Sequence, residues 1–282
     1  MIPADVIDQS NEIIEIQYYL LNISDETELQ VKNFFINSDF LSNPKNVKLL
    51  LDIVLIFCEI RPKLIPFYCK LLIFLNETNK EVKSILLEKF FKASNCDESI
   101  YLNANRFYFL HEMMMNGLYT PKEIVERIKL YSEAHSPEHF YSSTIFCYFA
   151  PELQSIDPEL FQSLYELFTN EMEMITAPGC LHSIYMNFKE LSENNFDLYK
   201  RLFKQKNSLQ TDSIDEFQKT VSDFNYRIHP SIFGLPPILQ NMPTLIQCAA
   251  FYGSLKIFKY LLLNNADISM KDGVSRSLVH FA

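Results

Sequence analysis

The sequence predicts an all-α protein in two parts, on three observations. Apolar residues recur with helical spacing over most of the stretch 1–205, and alternating patterns typical of strands are scarce. Glycine occurs only five times in 282 residues, which disfavours a fold with many tight β-turns. Near the C-terminus, one segment is echoed about 33 residues later, a spacing that indicates stacked helical repeats.

Residues 1–205 form the first predicted part, an irregular helical solenoid or an orthogonal bundle. Asn43 and Pro44 predict a helix start, because Asn caps helices and Pro fits the first helical position. The helix over 47–60 is apolar on every side, with only Lys48, Asp52 and Glu59 charged, which predicts that it is buried all round. Pro62 ends it. Further helices are predicted over 5–21, 64–75, 82–90, 104–115, 181–191 and 196–203.

Two more helix starts carry recognisable caps. Thr120 and Glu123 have the spacing of a capping box, in which each side chain bonds the other residue's amide. The run Asp157-Pro158-Glu159 opens another helix. The aromatic and β-branched segment 141–149 suits either a strand or a buried helix, and the all-α prediction takes the helix.

The second predicted part begins at residue 206. The run TLIQCA at 244–249 is echoed by SLVHFA at 277–282. Between them, Gly253 permits a tight turn and a stripe of apolar residues follows with helical spacing. That stripe is Leu255, Ile257, Phe258, Leu261 and Leu262, and the run Asn265-Ala266-Asp267 comes after it.

These positions resemble the ankyrin repeat, whose period is about 33 residues and whose first helix opens with T-P-L-H-x-A. Leu245 and Leu278 stand where the signature has Pro, and Gln247 stands where it has His, so the helix-start signal is weakened. His280 keeps the histidine, which in this family hydrogen-bonds neighbouring backbone.

The resemblance implies a full repeat over 244–276, an incomplete second repeat over 277–282, and a capping helix at about 212–222. Asp212 or Ser213 is the predicted N-cap of that helix. One helical hairpin leaves a face unburied, and solenoids end in polar capping repeats. We therefore expect the chain to be a fragment of a protein that continues through more repeats.

A second resemblance covers most of the chain. The stretches FCEIRPKLI at 57–65, YFAPEL at 148–153 and SIFG at 231–234, together with the repeat, are similar to a trichomonad-type protist family. In that family a helical domain of unknown function precedes ankyrin repeats. The resemblance implies a helical fold for the first part and no chemistry.

Ankyrin proteins bind partners with the loop tips between repeats and with the inner helix face. Carried onto this chain, the resemblance implies a tip at 269–276 and helix-end positions at Phe251 and Tyr252, for which packing between repeats is the alternative. The candidate partner-binding residues are Phe251, Tyr252, Met270, Lys271, Asp272, Val274, Ser275 and Arg276.

Composition narrows the function classes. The formal net charge is −10 and no Lys/Arg block occurs, which disfavours nucleic-acid binding. No apolar run is long enough to span a membrane, and no signal peptide is predicted. Six cysteines without a CxxC pair predict an intracellular, cytoplasmic location and buried free thiols at four of them. Those four are Cys58, Cys69, Cys147 and Cys248.

One motif resembles a catalytic site. The run from His135 to His139 reads H-x-x-E-H, the inverted zinc-protease pattern. Pro137 would stand in the middle of the required helix, where it removes an amide and clashes, so a polar loop is the better interpretation. We predict no catalytic residue, no metal and no cofactor.

The sequence thus predicts a non-enzymatic scaffold that binds a protein partner of unknown identity. The alternative is a regulatory or targeting adaptor that docks an enzyme complex through the helical part. A cryptic metal hydrolase built on His135 and His139 is the third possibility.

Overall fold

The structure, a computed structural model, is all-helical in the residues it describes. Its single β-type pairing there is one isolated antiparallel bridge, so the all-α prediction is confirmed for this part of the chain. Backbone contacts divide the chain into two compact units, residues 1–124 and 125–282. The predicted boundary after residue 205 stays a prediction. The described residues are 4–91, 100–134, 139–174, 205–229 and 237–282.

Unit 1 is a set of helices joined by short connections, close to those predicted. Helix α2 lies in a stretch where we predict no helix. Two 3-10 turns, Asp39–Ser42 and Pro62–Leu64, stand before and after α3. The helices are α1 Ala4–Leu21, α2 Glu28–Asn37, α3 Pro44–Ile60, α4 Ile65–Thr78, α5 Glu81–Phe90, α6 Ile100–Met115 and the start of α7, Pro121–Ala134.

The core of unit 1 is built around α3 and α4. Helix α3 packs on α1, α5 and α6, and α4 packs on α2, α5 and α6. The prediction that α3 is buried all round is wrong, because Ile56 and Ile60 are 52% and 61% exposed. They continue an exposed stripe that begins at Lys48 and Asp52, with a four-residue spacing. The two charged residues mark that face.

The predicted caps of unit 1 are confirmed. The Asn43 side chain accepts a hydrogen bond from the Lys45 amide (3.0 Å), and Pro44 is the first residue of α3. The Thr120 amide donates to the Glu123 carboxylate (2.8 Å), and the Glu123 amide donates to the Thr120 hydroxyl (3.2 Å). Both caps satisfy amides that a helix start leaves without partners.

Unit 2 contains a long helical hairpin and a group of short helices. The end of α7 belongs to it, and a helical segment over 205–210 precedes α10. Two 3-10 turns, Pro237–Leu239 and Leu278–Phe281, flank the last two helices. The helices are α8 His139–Ile156, α9 Pro158–Met174, α10 Ile214–Thr220, α11 Leu245–Tyr252 and α12 Leu255–Leu263. The helices predicted over 181–191 and 196–203 lie outside the described residues.

An aromatic cluster joins α8 to α9. The Phe146 ring lies 5.3 Å from Phe161 and 5.5 Å from Phe168, measured between ring centroids. The segment 141–149 is helical, as the all-α prediction required. Asp157 caps α9 by accepting from the Leu160 amide (3.1 Å), and it pairs with Lys129 (2.9 Å).

Helices long and apolar enough to cross a membrane do not occur among the described residues.

Glu152 lies on α8 directly after Pro151, and its Oε2 atom is shielded from solvent without a hydrogen-bond partner among the described residues. Burial raises the pKa of Glu152 from 4.5 to about 7, because the charged form loses its hydration. The folded chain therefore holds a proton that the unfolded chain releases between about pH 4.5 and 7. Glu152 then costs stability as pH rises through that window.

We expect Glu152→Gln to raise the free energy of unfolding by about 2 kcal/mol at pH 8 and to leave it nearly unchanged at pH 4, where the carboxyl group is mostly protonated in both states. Urea unfolding of both proteins at the two pH values measures this. Glu133→Gln, on the exposed end of α7, is the matched control and should show no such difference. An equal effect of Glu152→Gln at both pH values would contradict the assignment.

Candidate functional site

The predicted repeat contains a tight helical hairpin, α11 and α12. Gly253 joins the helices with a φ of +72°, a left-handed conformation that favours glycine. At the start of α11 the Thr244 amide donates to the Gln247 side chain (2.8 Å), and the Gln247 amide donates to the Thr244 hydroxyl (3.4 Å). This is a full capping box. The expectation that Gln247 weakens the helix start is therefore wrong.

The signal for this cap is present in the sequence. Thr244 and Gln247 have the T-x-x-Q spacing of a capping box, the same pattern that identifies Thr120 and Glu123. The repeat signature has a histidine at position 247, so a comparison with the signature alone overlooks the capping-box spacing. Glutamine suits this position because its side chain has both an acceptor and a donor group. Its oxygen accepts from the Thr244 amide, and its nitrogen is left to donate to other groups.

The backbone itself recurs at the spacing of the sequence echo. Met242 and Ser275 have positive φ angles of 51° and 67°, although neither is glycine. Two residues later, Thr244 and Ser277 are both extended, with ψ angles of 161° and 170°, and each begins a helical turn. Non-glycine residues adopt positive φ infrequently, so its return at the repeat spacing is a conformational match beyond the sequence echo.

Successive loops of this region are tied together by backbone hydrogen bonds. The Ile228 amide donates to the Pro243 carbonyl (2.8 Å), beside the bridge between Arg227 and Thr244. The Gly273 amide in turn donates to the Asn241 carbonyl (2.6 Å). A β-carbon at Gly273 would lie 3.0 Å from that carbonyl oxygen, so the close approach depends on glycine. The loops that contain Ile228, Asn241 to Pro243, and Gly273 are therefore joined to one another through the backbone.

Asp272 organises the tip, which we define as residues 269–276. Its carboxylate, 0% exposed, accepts from the Val274 amide (3.1 Å), the Arg276 amide (2.7 Å) and Arg276 Nε (2.7 Å). These bonds hold Ser275 in its left-handed conformation. A buried carboxylate is stable only when its acceptor sites are filled, and here the tip backbone fills them.

Arg276 and Gln247 fasten the tip to the rest of the unit. Arg276 Nη2 donates to the Ile238 carbonyl (2.7 Å), and the guanidinium lies 5.0 Å from the centre of the Phe281 ring. Gln247 Nε2 donates to the carbonyls of Met270 (3.1 Å) and Arg276 (3.2 Å). Gln247 thus connects the start of α11 to both ends of the tip, and it is 0% exposed.

The structure separates the eight predicted partner-binding residues into two groups. Lys271, Val274 and Ser275 are exposed at the tip, and Met270 is half-buried beside them. Ile268, just before the tip, is 55% exposed, and the prediction did not include it. The other four make internal contacts: Asp272 and Arg276 hold the tip, Phe251 is buried, and the half-buried Tyr252 has its ring 5.1 Å from that of Phe251.

The upstream side of the hairpin is closed by the segment 205–224. Asp212 accepts from the amides of Lys256 (2.9 Å) and Ile257 (3.0 Å) and so caps α12. The Ser254 hydroxyl donates to the Leu209 carbonyl. Helix α10 coincides with the predicted capping helix, and its Phe217 ring contacts Tyr260 of α12 at 6.4 Å.

Asp212 is one of the two predicted caps of α10. The residue at the cap position is Ser213, which makes no side-chain capping bond. Asp212 instead has a φ of +50° and turns its carboxylate toward the start of α12, far along the chain from α10. Sequence spacing alone favours the nearest helix, and only the fold brings the distant one closer.

The catalytic alternatives gain no support from the described residues. Residues 135–138 of the H-x-x-E-H motif lie outside them, and His139 is the first residue of α8. In the part of the chain that the structure describes, no group of three His, Cys, Asp or Glu residues could hold a metal ion. Cys58, Cys69 and Cys248 are buried, and the side chains of Cys96, Cys147 and Cys180 lie outside the described part of the structure.

A scan against protein-family models finds no match for this chain, and searches of curated proteins and of solved structures also find none.

We expect Asp212→Ala to lower the free energy of unfolding by about 1–2 kcal/mol, because α12 loses its cap and alanine tolerates positive φ poorly. Asp212→Asn should retain only part of the stability, since asparagine adopts the left-handed conformation but has one acceptor oxygen for the two amides. Thermal and urea unfolding measure both changes. Asp215→Ala, exposed on α10, is the control, and an equal loss there would contradict the capping role.

We expect Asp272→Ala to lower the free energy of unfolding by about 3 kcal/mol, because it leaves two amides and a partly buried guanidinium without their acceptor. Hydrogen exchange at the amides of Val274 and Arg276 should accelerate as well. Asp267→Ala, an exposed residue whose carboxylate accepts from Ser269, is the comparison and should lose far less stability. Unchanged exchange at both amides would show that Asp272 does not hold the tip.

Proposed function

We propose that this chain is a non-enzymatic protein–protein interaction scaffold whose residues 244–282 begin an array of ankyrin-type repeats. The partner contacts the tip, through Met270, Lys271, Val274 and Ser275, and the adjoining Ile268. Asp272 and Arg276 are positioning residues that hold this surface in place.

The observation that carries the proposal is the recurrence of backbone conformation. A left-handed residue, an extended helix cap and a helical turn follow one another at 242–245 and again at 275–278. The sequence echo has the same spacing, and it equals the ankyrin period of about 33 residues. Chain conformation and residue type therefore support the same family by separate routes.

The tip is suited to binding because it is already ordered. A loop that must be fixed on binding loses conformational entropy, and each ordered residue costs roughly 1 kcal/mol or more. Here the Asp272 carboxylate, the Gln247 amide and the loop-to-loop backbone bonds fix it in the free chain. The exposed side chains can then contribute their contact energy to affinity.

The chemistry of the tip indicates the kind of partner. Val274 and Ile268 expose apolar surface (56% and 55%), and Lys271 is an exposed cation beside them. The charge of Arg276 is satisfied internally by Asp272. We therefore expect a protein surface with an apolar depression next to a carboxylate, in which a few anchoring side chains contribute most of the affinity.

A photo-crosslinking amino acid at Val274, introduced in cells, should trap one predominant protein that the same amino acid at the exposed Leu130 does not trap. Binding of that purified partner is then measured by calorimetry. We expect the variant Lys271→Glu with Val274→Asp to weaken the Kd at least about 30-fold, because two anchors are lost. The melting temperature should not change, because both side chains face solvent.

The matched control carries Lys63→Glu with Leu130→Asp, the same kinds of change at exposed positions outside the tip. It should bind with the wild-type Kd. Equal weakening by both double variants, or a crosslinked partner whose Kd the tip variant leaves unchanged, would overturn the assignment of the tip.

A further inference from the structure

The dipeptide Asn116-Gly117, at the end of α6, places a reactive side chain next to an unhindered backbone nitrogen. The nitrogen of a following residue can attack the side-chain carbonyl carbon of asparagine, and a β-carbon on that residue crowds the approach. Glycine has no β-carbon, and Asn116 is the one asparagine in the sequence that a glycine follows. Both residues are exposed, so solvent can supply the base and the water that this chemistry needs.

The end of α6 is closed by a Schellman motif. The Gly117 amide donates to the Met114 carbonyl (3.0 Å), and the Leu118 amide donates to the Met113 carbonyl (3.0 Å). Gly117 has a φ of +85°, the left-handed conformation that this motif requires. The nitrogen that would attack Asn116 is therefore held in a hydrogen bond that ends the helix.

This helix end also keeps the reacting atoms apart. The Asn116 amide donates to the Glu112 carbonyl (2.9 Å), as in a helix, and the side-chain Nδ2 donates to the same carbonyl (2.7 Å). Attack requires the Asn116 backbone to leave its helical conformation and the Gly117 amide to lose its acceptor. The last turn of a helix opens far more readily than the whole fold. The reaction can therefore proceed while this end of α6 is open.

We propose that Asn116 is a site of spontaneous deamidation whose rate is set by the opening of the last turn of α6. The Gly117 nitrogen bonds to Cγ of Asn116, the bond from Cγ to Nδ2 breaks, and Nδ2 leaves as ammonia with the proton of the Gly117 amide. Water then opens the cyclic imide at either of its carbonyl carbons, which leaves aspartate or isoaspartate at position 116. This modification does not depend on the tip or on its partner.

Both products weaken the end of α6. Aspartate places a negative charge at the negative end of the helix dipole, and its carboxylate cannot donate to the Glu112 carbonyl. Isoaspartate adds a carbon atom to the backbone, which moves the amides of Gly117 and Leu118 away from their acceptors. The next residue, Tyr119, is buried and its hydroxyl donates to the Lys83 carbonyl of α5 (2.8 Å). Unit 1 therefore contains a change that accumulates with the age of the molecule and does not reverse.

Asn22 is a matched asparagine in the same chain. It is exposed, it follows the end of α1, and its Nδ2 donates to the Tyr18 carbonyl (2.7 Å), the contact that Asn116 makes with Glu112. The residue after it is Ile23, whose branched side chain crowds the backbone nitrogen. We therefore expect Asn22 to keep its amide under conditions in which Asn116 loses its own.

The test is peptide mapping by mass spectrometry while the full chain is incubated at mildly alkaline pH, which favours loss of the Gly117 amide proton. One sample is folded and the other is denatured in guanidinium chloride. We expect Asn116 to deamidate in both, at least about tenfold more slowly in the folded chain, because the open turn is a minor state there. A protease that cleaves before aspartate distinguishes the two products, since it does not cleave at isoaspartate.

Leu118→Ala tests the role of the helix end. Leu118 is 5% exposed and its amide closes the motif, so truncation should favour the open turn and raise the rate in the folded chain at least about fivefold. Leu130→Ala, at an exposed position on α7, is the control and should leave the rate unchanged. Circular dichroism verifies that both variants fold, and Leu118→Val is the milder change if Leu118→Ala does not.

The deamidated fraction carries one more negative charge, so ion exchange separates it, and it should melt at a lower temperature than the intact chain. Equal deamidation rates in folded and denatured samples would overturn the proposal. So would an Asn116 that stays intact in the folded chain, a rate that truncation of Leu118 leaves unchanged, or loss of the Asn22 amide as fast as that of Asn116. Equal melting of the two fractions would contradict the weakening of α6.

Discussion

The buried carboxylate of Asp272 is the interaction on which the C-terminal surface depends. Removing a charge from water is costly, and the chain offsets that cost only by directing two amides and one guanidinium at the same group. Those donors belong to the tip itself, so satisfying the charge also determines the shape of the loop. The same hydrogen bonds therefore stabilise the buried carboxylate of Asp272 and fix the conformation of the tip.

The local features of the fold were predictable from the sequence. Asn43 with Pro44, and Thr120 with Glu123, define helix starts because the bonds involved span only two or three residues. The period of apolar residues identified most of the helices for the same reason. Helix α2 was missed, and its buried side chains are only Val31 and Phe35, too few to establish a helical period.

Contacts between residues far apart along the chain could not be predicted from the sequence. Nothing near Asp212 shows that its carboxylate caps a distant helix at Lys256, and nothing near Asp272 shows that its side chain is buried. Both are acidic residues in polar segments, where exposure is the ordinary expectation. The exposed members of the predicted site, Lys271, Val274 and Ser275, needed only the position of the loop, and that position followed from the repeat spacing.

The amide side chain of Gln247 makes its contacts with the tip independent of pH. A histidine at this position would exchange a proton near neutral pH, and its donors and acceptors would change with it. An amide does not titrate, so the bonds from Gln247 to Met270 and Arg276 persist in acidic surroundings. Protonation therefore cannot break the connection that Gln247 makes between α11 and the tip.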